Sequence, residues 1–351
     1  MRYRINHRCN TYPNDSAILY IKLCLDIQTL SVDYDMSAAS PPPAIFLMGP
    51  TASGKTALAV DLVKRFPCEI ISVDSAMIYR GMDIGTAKPG TDILRIAPHR
   101  LIDICDPAES YSAGRFREDA LHAMLDITSK GRIPLLVGGT MLYFHALQHG
   151  LAELPVADLR IRAELDARAA KEGWPVLHAE LAGVDPMAAV RINANDSQRI
   201  QRALEIYYVT GRPMSELHNT SAVQSLPYQL IKLGISTSSR GLLHARIEQR
   251  FQDMMMAGFV KEVTGLHARG DLTINHSSMR SVGYRQLWEH LDGDCSLDTA
   301  VQRGIVATRR FAKRQLTRLR AATDVLWLQS DAPGVTENAQ SLLKRALADR
   351  L

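Results

Sequence analysis

The chain has 351 residues, of which 46% are hydrophobic and 22% charged, and its formal net charge is +4. This ordinary globular composition, at a length of about two domains, excludes a disordered chain, a collagen-like repeat and a disulfide-stapled miniprotein. No run of 18 apolar residues predicts a membrane span, and the five scattered cysteines without a C-x-x-C pair favour reduced thiols in a cytoplasmic protein.

The beginning of the chain differs in pattern from the remainder. A short apolar run is interrupted by Lys22, and no small-residue cleavage pattern comes after it, so a signal peptide is not indicated. Met36 opens a Ser/Ala/Pro-rich stretch that ends in three prolines. We therefore interpret 1–43 as an extension that is disordered or absent from the native protein, with Met36 as the natural start.

From residue 44 onward, short apolar runs alternate with segments of helical periodicity. Strands are predicted over 44–48, 69–73 and 133–137, and a helix with apolar residues on one face follows the first strand until Pro67 stops it. Short, fully apolar strands that alternate with helices are typical of a parallel sheet covered on both faces. The predicted fold is therefore α/β.

The strand signal fades between 151 and 221, where Leu159–Lys171 and Ser197–Val209 have helical periodicity. Tyr228–Ile235 is predicted to return the chain to the sheet, and Val325–Leu328 to add a last short strand after further helices. The predicted division is a first core part (44–150), an inserted all-helical domain (151–221), a second core part with basic helices (222–330) and a C-terminal tail or helix (331–351).

A phosphate-binding loop lies between the first strand and the first helix. The segment Gly49-Pro50-Thr51-Ala52-Ser53-Gly54-Lys55-Thr56 matches G-x-x-x-x-G-K-[ST]. The N–H groups and the dipole of a helix N-terminus favour an anion; Lys55 adds a point charge, and the Thr56 hydroxyl can ligate Mg²⁺. The motif predicts a P-loop NTPase-like, doubly wound sheet that binds a di- or triphosphate, without specifying the reaction.

Polar residues follow two further strands. Asp74 comes directly after 69–73, and Gly138-Gly139-Thr140 follows 133–137, without the acid that usually holds Mg²⁺ in a P-loop ATPase or GTPase. Ligands of doubly wound sheets bind beyond the carboxyl ends of the strands, so both side chains are expected beside the P-loop. Asp74 is either a general base, an indirect Mg²⁺ ligand or a helix N-cap, and Thr140 is either a site residue or an N-cap.

Together these motifs resemble the bacterial tRNA dimethylallyltransferases, also called tRNA isopentenyltransferases. The resemblance covers about residues 44–328 and leaves the extension outside. Its matching blocks, in the order of the family, are Gly49–Thr56, Ser72–Ser75, Gly81–Pro89, Pro98–Arg100, Gly138–Thr140, Asp196–Arg199, Arg246–Arg250, Val282–Arg285 and Lys313–Gln315.

The resemblance implies transfer of a dimethylallyl group from its diphosphate to N6 of the adenosine 3′ of the anticodon, in tRNAs that read codons beginning with U. It implies that the P-loop holds the donor's diphosphate with Mg²⁺, rather than the ATP with which the motif is usually associated. It assigns Asp74 as the base for the N6 proton and Thr140 as a hydrogen-bond partner near the reacting groups.

Arg246 and Arg250 lie four residues apart and share a helix face beside an apolar stripe formed by Ile247, Phe251 and Met254. Two guanidinium groups so placed suit one diphosphate, although a solvated basic edge has the same pattern. The resemblance favours the diphosphate interpretation, and most strongly for Arg250.

A basic segment points to a nucleic-acid partner. Residues 301–320 contain seven Lys/Arg and no Asp/Glu, the electrostatic footprint of a phosphate backbone. The tRNA anticodon stem-loop is the expected partner, with the insertion clasping the stem and Tyr284 or another aromatic side chain stacking on a loop base. Together with the resemblance, which implies the contacts outside this segment, the residues predicted to contact tRNA are Asp74, Ser75, Ala76, Met77, Thr140, Arg162, Gln198, Arg199, Ile200, Gln201, Arg202, Arg280, Ser281, Val282, Gly283, Tyr284, Arg285, Lys313, Arg314, Gln315, Leu316, Thr317, Arg318, Leu319 and Arg320.

Two other functions are compatible with parts of the sequence. A small-molecule P-loop kinase would share the loop and the sheet, but it does not explain the acid-free basic segment. An RNA-binding GTPase-like switch would need a base-specificity motif such as N-K-x-D, which does not occur. The principal expectation is a monomeric tRNA prenyltransferase.

Overall fold

The computed structural model describes residues 41–348, except 153 and 221–225. Most of the predicted extension lies outside the described residues. In the described part, one all-parallel sheet has the strand order β3-β2-β4-β1-β5-β6. Its strands are β1 (Pro43–Met48), β2 (Cys68–Val73), β3 (His99–Arg100), β4 (Ile133–Gly138), β5 (Gln229–Ser236) and β6 (Leu326–Gln329).

The predicted parallel sheet is confirmed, with strand bounds within about two residues of those expected. The sequence analysis missed β3, because a strand of two residues is too short to carry a hydrophobic pattern. The apolar character of β1 is explained by its position in the sheet: Ala44 to Leu47 are fully buried, since the strand has neighbours on both edges and helices on both faces.

Helices cover both faces of the sheet. Phe46, Ile71 and Leu136 point into one core, while Ile45 and Leu135 point into the other. The helices of the first core part are α1 (Lys55–Val63), α2 (Thr91–Ile96), α3 (Ala113–Ser129) and α4 (Met141–His149). Helices after the insertion are α10 (Arg240–Met256), α11 (Phe259–His267), α12 (Tyr284–Leu291), α13 (Leu297–Arg320) and α14 (Val335–Ala348).

The C-terminal segment, predicted as a tail or helix, forms α14. Its Ala339 and Leu343 are fully buried in the core that Leu58 and Leu62 of α1 share with the sheet. Each fully buried Leu contributes roughly 1.5–3 kcal/mol relative to an exposed one. The helix therefore belongs to the folded core.

The segment between β4 and β5 is helical, as predicted. It contains α5 (Leu159–Glu172), α6 (Trp174–Val184), α7 (Pro186–Arg191), α8 (Ser197–Thr210) and α9 (Met214–Thr220). These helices have a hydrophobic cluster of their own, with Leu165, Leu177 and Leu204 at its centre. The domain borders and the clasping role remain predictions.

A buried carboxylate fixes the start of this insertion. Glu205 on α8 is inaccessible to solvent and accepts hydrogen bonds from the Asp158 amide (2.7 Å), from Arg162 (2.9 and 3.0 Å) and from Arg202 (2.7 Å). Arg202 in turn donates to the carbonyl of Pro155. Because a buried charge is stable only when it is paired and hydrogen-bonded, Glu205 ties the incoming segment to α5 and α8.

Among the residues described, every helix is too short or too polar to cross a lipid bilayer.

Gly138→Ala should lower the free energy of unfolding by about 1–3 kcal/mol or more. An added Cβ would lie 2.0 Å from the carbonyl oxygen of Val73, and backbone atoms in paired strands cannot give way cheaply. Urea unfolding measures the change. The matched control is Gly183→Ala in α6, where nothing lies within 4 Å and stability should be unchanged or slightly higher. Equal stability of Gly138→Ala and the wild type would contradict the packing argument.

Candidate active site

A cavity of about 440 Å³ opens at the carboxyl ends of the central strands. It joins residues from segments that are far apart in the sequence: the P-loop, the residues after β2 and β4, α10, the segment before α12, and α13. The predicted site residues that line it are Thr51, Ala52, Lys55, Thr56, Asp74, Ser75, Ala76, Met77, Gly139, Thr140, Arg250, Arg280, Ser281, Val282, Tyr284, Arg314 and Gln315.

Strand register explains this convergence. Gly138, the last residue of β4, pairs with Met48 of β1 on one side and with Val73 of β2 on the other. The next residue of each strand therefore emerges at the same level, and these residues are Gly49, Asp74 and Gly139. Hydrogen bonds continue past the strands, from the Gly49 amide to Gly138 and from the Thr140 amide to Val73 (both 3.3 Å).

The P-loop curls before α1 through left-handed backbone at Ala52 (φ 62°) and Gly54 (φ 88°). This conformation strains an alanine but not a glycine, so contacts elsewhere must hold Ala52 in place. The Lys55 ammonium donates a hydrogen bond to the Pro50 carbonyl (2.6 Å), so the positive charge of Lys55 lies against the loop. The loop thereby presents a cation beside the N-terminus of α1, an arrangement that favours an anion.

Two cations share the cavity. Arg250 donates to the Thr86 carbonyl (3.3 Å), and burial lowers the pKa of its guanidinium. Burial, and to a lesser degree the nearby Arg250, lowers the pKa of Lys55 to about 7, although Asp74 opposes the shift. The lowered pKa values indicate that the acidic groups of the protein do not fully balance these two positive charges. A bound anion would therefore be strongly favoured.

The two oxygens of Asp74 have different roles. Oδ1 accepts from the amides of Ala76 (2.8 Å) and Met77 (3.2 Å), so it caps the turn that follows β2. Oδ2 has no hydrogen-bond partner within the described part of the chain. The capping and the base interpretations are therefore compatible, because one oxygen anchors the carboxylate and the other is available to a ligand.

Thr140 begins α4 as its N-cap residue, but its side chain does not cap that helix. Its Oγ1 accepts from the Ser75 amide (3.2 Å), which links the end of β4 to the turn after Asp74. The N-cap alternative for the Thr140 hydroxyl is therefore wrong. The side chain belongs to the cavity wall.

Glu262 on α11 holds the loop 81–89 against the cavity. Its carboxylate accepts from the amides of Asp83 (2.9 Å), Ile84 (2.7 Å) and Gly85 (3.1 Å) and from the Tyr284 hydroxyl (2.6 Å).

Packing fixes the same loop. A Cβ at Gly85 would lie 2.1 Å from the ring of Phe259, so only glycine allows the loop to lie this close to that ring. The carboxylate thus positions Thr86, whose carbonyl receives Arg250.

Several predicted site residues lie elsewhere than expected. Arg246 donates to the Ser330 hydroxyl (2.9 Å) and does not line the cavity with Arg250. Tyr284 is fully buried, its ring packs on Phe259 (4.9 Å between centroids), and it is hydrogen-bonded to Glu262. The prediction that Tyr284 stacks on a base is therefore wrong, while stacking by another aromatic side chain stays a prediction. Burial also raises the pKa of its hydroxyl.

The residues predicted to contact tRNA divide between exposed and buried positions. Ile200, Gly283, Gln315 and Leu319 are buried within their segments, because each lies on the packed side of its helix or turn. Arg162 is paired with Glu205. The exposed members are Ser75, Gln198, Arg199, Arg280, Arg285, Lys313, Arg314, Thr317, Arg318 and Arg320.

The sequence analysis missed part of the cavity wall. Tyr111, Tyr143, Thr308 and Phe311 contribute to it, although no motif marks them. Ile247, Phe251 and Met254, recognised only as an apolar stripe, line the cavity as well. Aromatic and aliphatic side chains far apart in the sequence give no local pattern that could have identified them.

Metal binding would depend on the ligand. The described residues contain no group of three or more His, Cys, Asp and Glu side chains able to hold a metal ion. The cavity offers the Thr56 hydroxyl and the Asp74 carboxylate, which suits Mg²⁺ that retains waters and binds mainly through phosphate oxygens.

The chain is similar to known proteins over most of its length. The sequence profile of the IPP transferase family matches residues 77–322. The full-length tRNA isopentenylpyrophosphate transferase of Bacillus halodurans is 36% identical, with 88% of this chain and 99% of that chain covered and a TM-score of 0.64. The tRNA delta(2)-isopentenylpyrophosphate transferase of Staphylococcus epidermidis is 32% identical, with 87% and 99% covered and a TM-score of 0.62.

A eukaryotic dimethylallyltransferase acting on tRNA has a more similar backbone but a less similar sequence. Its TM-score is 0.74 at 24% identity, over 88% of this chain and 80% of that chain. This match bears on the fold, which it confirms.

Binding of inorganic diphosphate at about pH 8 should take up a proton at Lys55. With a pKa of about 7, the Lys55 amine of the empty site is mostly neutral at that pH. An adjacent anion favours the ammonium form, so affinity should fall as pH rises above 7. Titration calorimetry in buffers of different ionisation heat measures the uptake. Lys55→Arg, which stays charged, is the control that corrects for ionisation of diphosphate itself. Equal proton uptake by the two proteins would contradict the assignment.

Proposed function

The chain belongs to the IPP transferase family, and from that premise we propose that it transfers a dimethylallyl group from dimethylallyl diphosphate to N6 of an adenosine in tRNA. The acceptor is the adenosine immediately 3′ of the anticodon, in tRNAs that read codons beginning with U. The observation that carries the proposal is the single cavity in which Lys55 and Arg250 face the Asp74 carboxylate. One part of this cavity suits a departing anion and another suits proton removal.

The reaction forms one bond and breaks another. N6 attacks the allylic carbon, and the carbon–oxygen bond breaks with its electron pair going to the diphosphate. Adenine N6 is a weak nucleophile because its lone pair is delocalised into the ring, so stabilisation of the leaving group matters most. Lys55, Arg250 and the amides at the start of α1 supply preorganised positive charge for it.

Asp74 accepts the proton that N6 loses. The amides of Ala76 and Met77 hold its Oδ1, which leaves Oδ2 to face the substrate. The Thr140 hydroxyl, fixed by the Ser75 amide, hydrogen-bonds near the reacting groups. A positioned base of this kind contributes typically about 10²–10⁴-fold to the rate.

The five-carbon dimethylallyl group needs an apolar surface to bind against. Ile247, Phe251 and Met254 of α10, with Phe311 of α13, provide such a wall beside the two cations. An apolar wall next to a phosphate-binding loop suits a prenyl diphosphate better than the polar sugar of a nucleotide.

Mg²⁺ would be held by Thr56 and the diphosphate, with Asp74 nearby. When bound, it neutralises charge on the leaving group. Lys55 and Arg250 remain the cations that the chain itself brings to that group.

The exposed arginines of α13 are the proposed binding surface for the tRNA phosphate backbone. Arg314 lies at the rim, because it lines the cavity and is exposed at the same time, and Arg318 follows one turn later. The insertion is proposed to clasp the anticodon stem with the exposed side of α8, and the target adenine must leave its stack to reach Asp74. A monomer in the cytoplasm is the assembly and location that we expect.

The comparisons give the small-molecule kinase no support. The cavity also lacks an acid after β4, where Gly138-Gly139-Thr140 stands instead. Tight ATP binding without dimethylallyl diphosphate binding would restore that alternative.

Purified protein with Mg²⁺, dimethylallyl diphosphate and unmodified tRNA should form N6-isopentenyladenosine, and Asp74→Asn should reduce turnover by about 10²–10⁴-fold. Asparagine keeps an oxygen for the Ala76 and Met77 amides, so the turn should persist while the base is lost. Mass spectrometry of digested nucleosides measures the product.

The matched control is Asp92→Asn, an exposed acid on α2 that is paired with Arg95, and its turnover should equal that of the wild type. Turnover of Asp74→Asn within tenfold of wild type would mean that Asp74 is not the base. Absence of product from the wild type would refute the proposed function.

Reversing Arg314 and Arg318 to Glu should raise the tRNA dissociation constant. It should also reduce the slope of the logarithm of that constant against the logarithm of salt concentration by about two, because two phosphate contacts are lost. Both side chains are exposed, so the change removes phosphate contacts without opening a core. Filter binding at several salt concentrations measures the slope.

Reversal of Lys64 and Arg65 changes the net charge equally and serves as the control. These residues lie between α1 and the start of β2, at the amino ends of the strands and so away from the cavity, and they are exposed, so the salt slope should not change. A slope that is the same for both double variants would remove α13 from the interface.

A further inference from the structure

Gln315 connects the two halves of the cavity. The residue is only 6% exposed, although it lies on the helix that carries the exposed arginines. Oε1 accepts from the Thr51 amide of the P-loop (2.9 Å), and Nε2 donates to the Gly139 carbonyl in the turn that carries Thr140 (2.8 Å). Both ends of the amide are therefore satisfied by backbone of the site itself.

We infer that Gln315 is a positioning residue, which holds the diphosphate-binding loop in fixed register with the Thr140 turn, rather than a tRNA contact. The inference rests on the proposed function for its chemistry. A tRNA base or phosphate cannot bind an amide whose acceptor and donor are both engaged and buried without breaking these bonds. The nearest exposed residues of the helix, Lys313 and Arg314, are available for that contact instead.

Gly139 is matched to this contact. A Cβ at this position would lie 2.2 Å from Nε2 of Gln315 and 3.1 Å from the Gly49 carbonyl. The amide can approach the turn only because residue 139 has no side chain. This explains one glycine of the Gly138-Gly139 pair by a contact with α13, whereas Gly138 is required by the neighbouring strand β2.

A second contact braces the same loop from the same helix. Ala52, which has left-handed backbone, packs with Leu316 against a small cluster of Leu243, Ile247 and Ala312. The loop is thus held by α13 through a hydrogen bond at Thr51 and apolar packing at Ala52. Strained backbone persists only where its surroundings hold it in place, and here α13 contributes to that restraint.

The Thr51 amide is consequently engaged by the protein and not directed at a phosphate. Without Gln315, the loop that holds the leaving group and the turn that carries Thr140 could shift independently. Small misplacements of reacting groups cost large factors in rate, so both diphosphate affinity and turnover should fall while tRNA affinity is retained.

The test compares Gln315→Met with Arg318→Gln. Gln315→Met keeps the volume and removes both hydrogen bonds; we expect about tenfold weaker binding of inorganic diphosphate and of dimethylallyl diphosphate by calorimetry without tRNA, at an unchanged tRNA dissociation constant. Arg318→Gln should show the reverse, with weaker tRNA binding and normal diphosphate affinity. Gln315→Met should also lower turnover at saturating substrates, as expected for a residue that positions the loop and the turn.

Gly139→Ala provides a second variant, which changes no residue of α13. Its methyl group would displace the Gln315 amide. It should weaken diphosphate binding similarly, and the double variant with Gln315→Met should be no worse than the more affected single variant. Thermal unfolding checks that each variant is folded.

Diphosphate affinity of Gln315→Met within twofold of wild type, together with weaker tRNA binding, would overturn the inference and return Gln315 to the tRNA surface. Fully additive effects of Gly139→Ala and Gln315→Met would also overturn it. Failure of the proposed function is distinguishable, because a wild type that binds inorganic diphosphate but not dimethylallyl diphosphate refutes the donor assignment and still permits the Gln315 comparison.

Discussion

The register of three parallel strands is the constraint on which the site depends. Because Gly138 pairs with both Met48 and Val73, the chain leaves β1, β2 and β4 at one level. The P-loop, the Asp74 turn and the Thr140 turn therefore start side by side. A shift of one residue in β4 would turn its side chains to the opposite face and separate Thr140 from Asp74. The pairing of the strand backbones thus determines which side chains can lie together in the site.

The charges of the cavity side chains do not balance. Lys55 and Arg250 lie in a partly desolvated cavity, and Asp74 offsets them only in part, as the lowered pKa of Lys55 indicates. A protein tolerates such a site when a ligand supplies the missing charge. Departure of diphosphate is the step in which these cations would be most useful, since negative charge develops where they already stand.

Polar side chains that each make several hydrogen bonds to backbone organise the loops. Glu262 gathers the amides of the 83–85 segment, Gln315 joins the P-loop to the Gly139 turn, and Glu205 anchors the insertion. Each is a hydrogen-bonding group that replaces water inside the protein, so each fixes a backbone conformation that the loop sequence alone would not hold. The long helix α13 accordingly has two functions, with Gln315 on its packed side and Arg318 on its exposed side.

The sequence alone determined the parallel sheet, the P-loop and the positions of Asp74 and Thr140, because strand hydrophobicity, glycine spacing and the rule for ligand sites in doubly wound sheets are local or topological properties. It could not determine which neighbours those side chains have. Burial of Tyr284, the separation of Arg246 from Arg250 and the inward direction of Gln315 depend on how helices distant in sequence pack together. A motif records which residue types are present, whereas the direction of each side chain is set by helix rotation and by partners that only the folded chain brings within hydrogen-bonding distance.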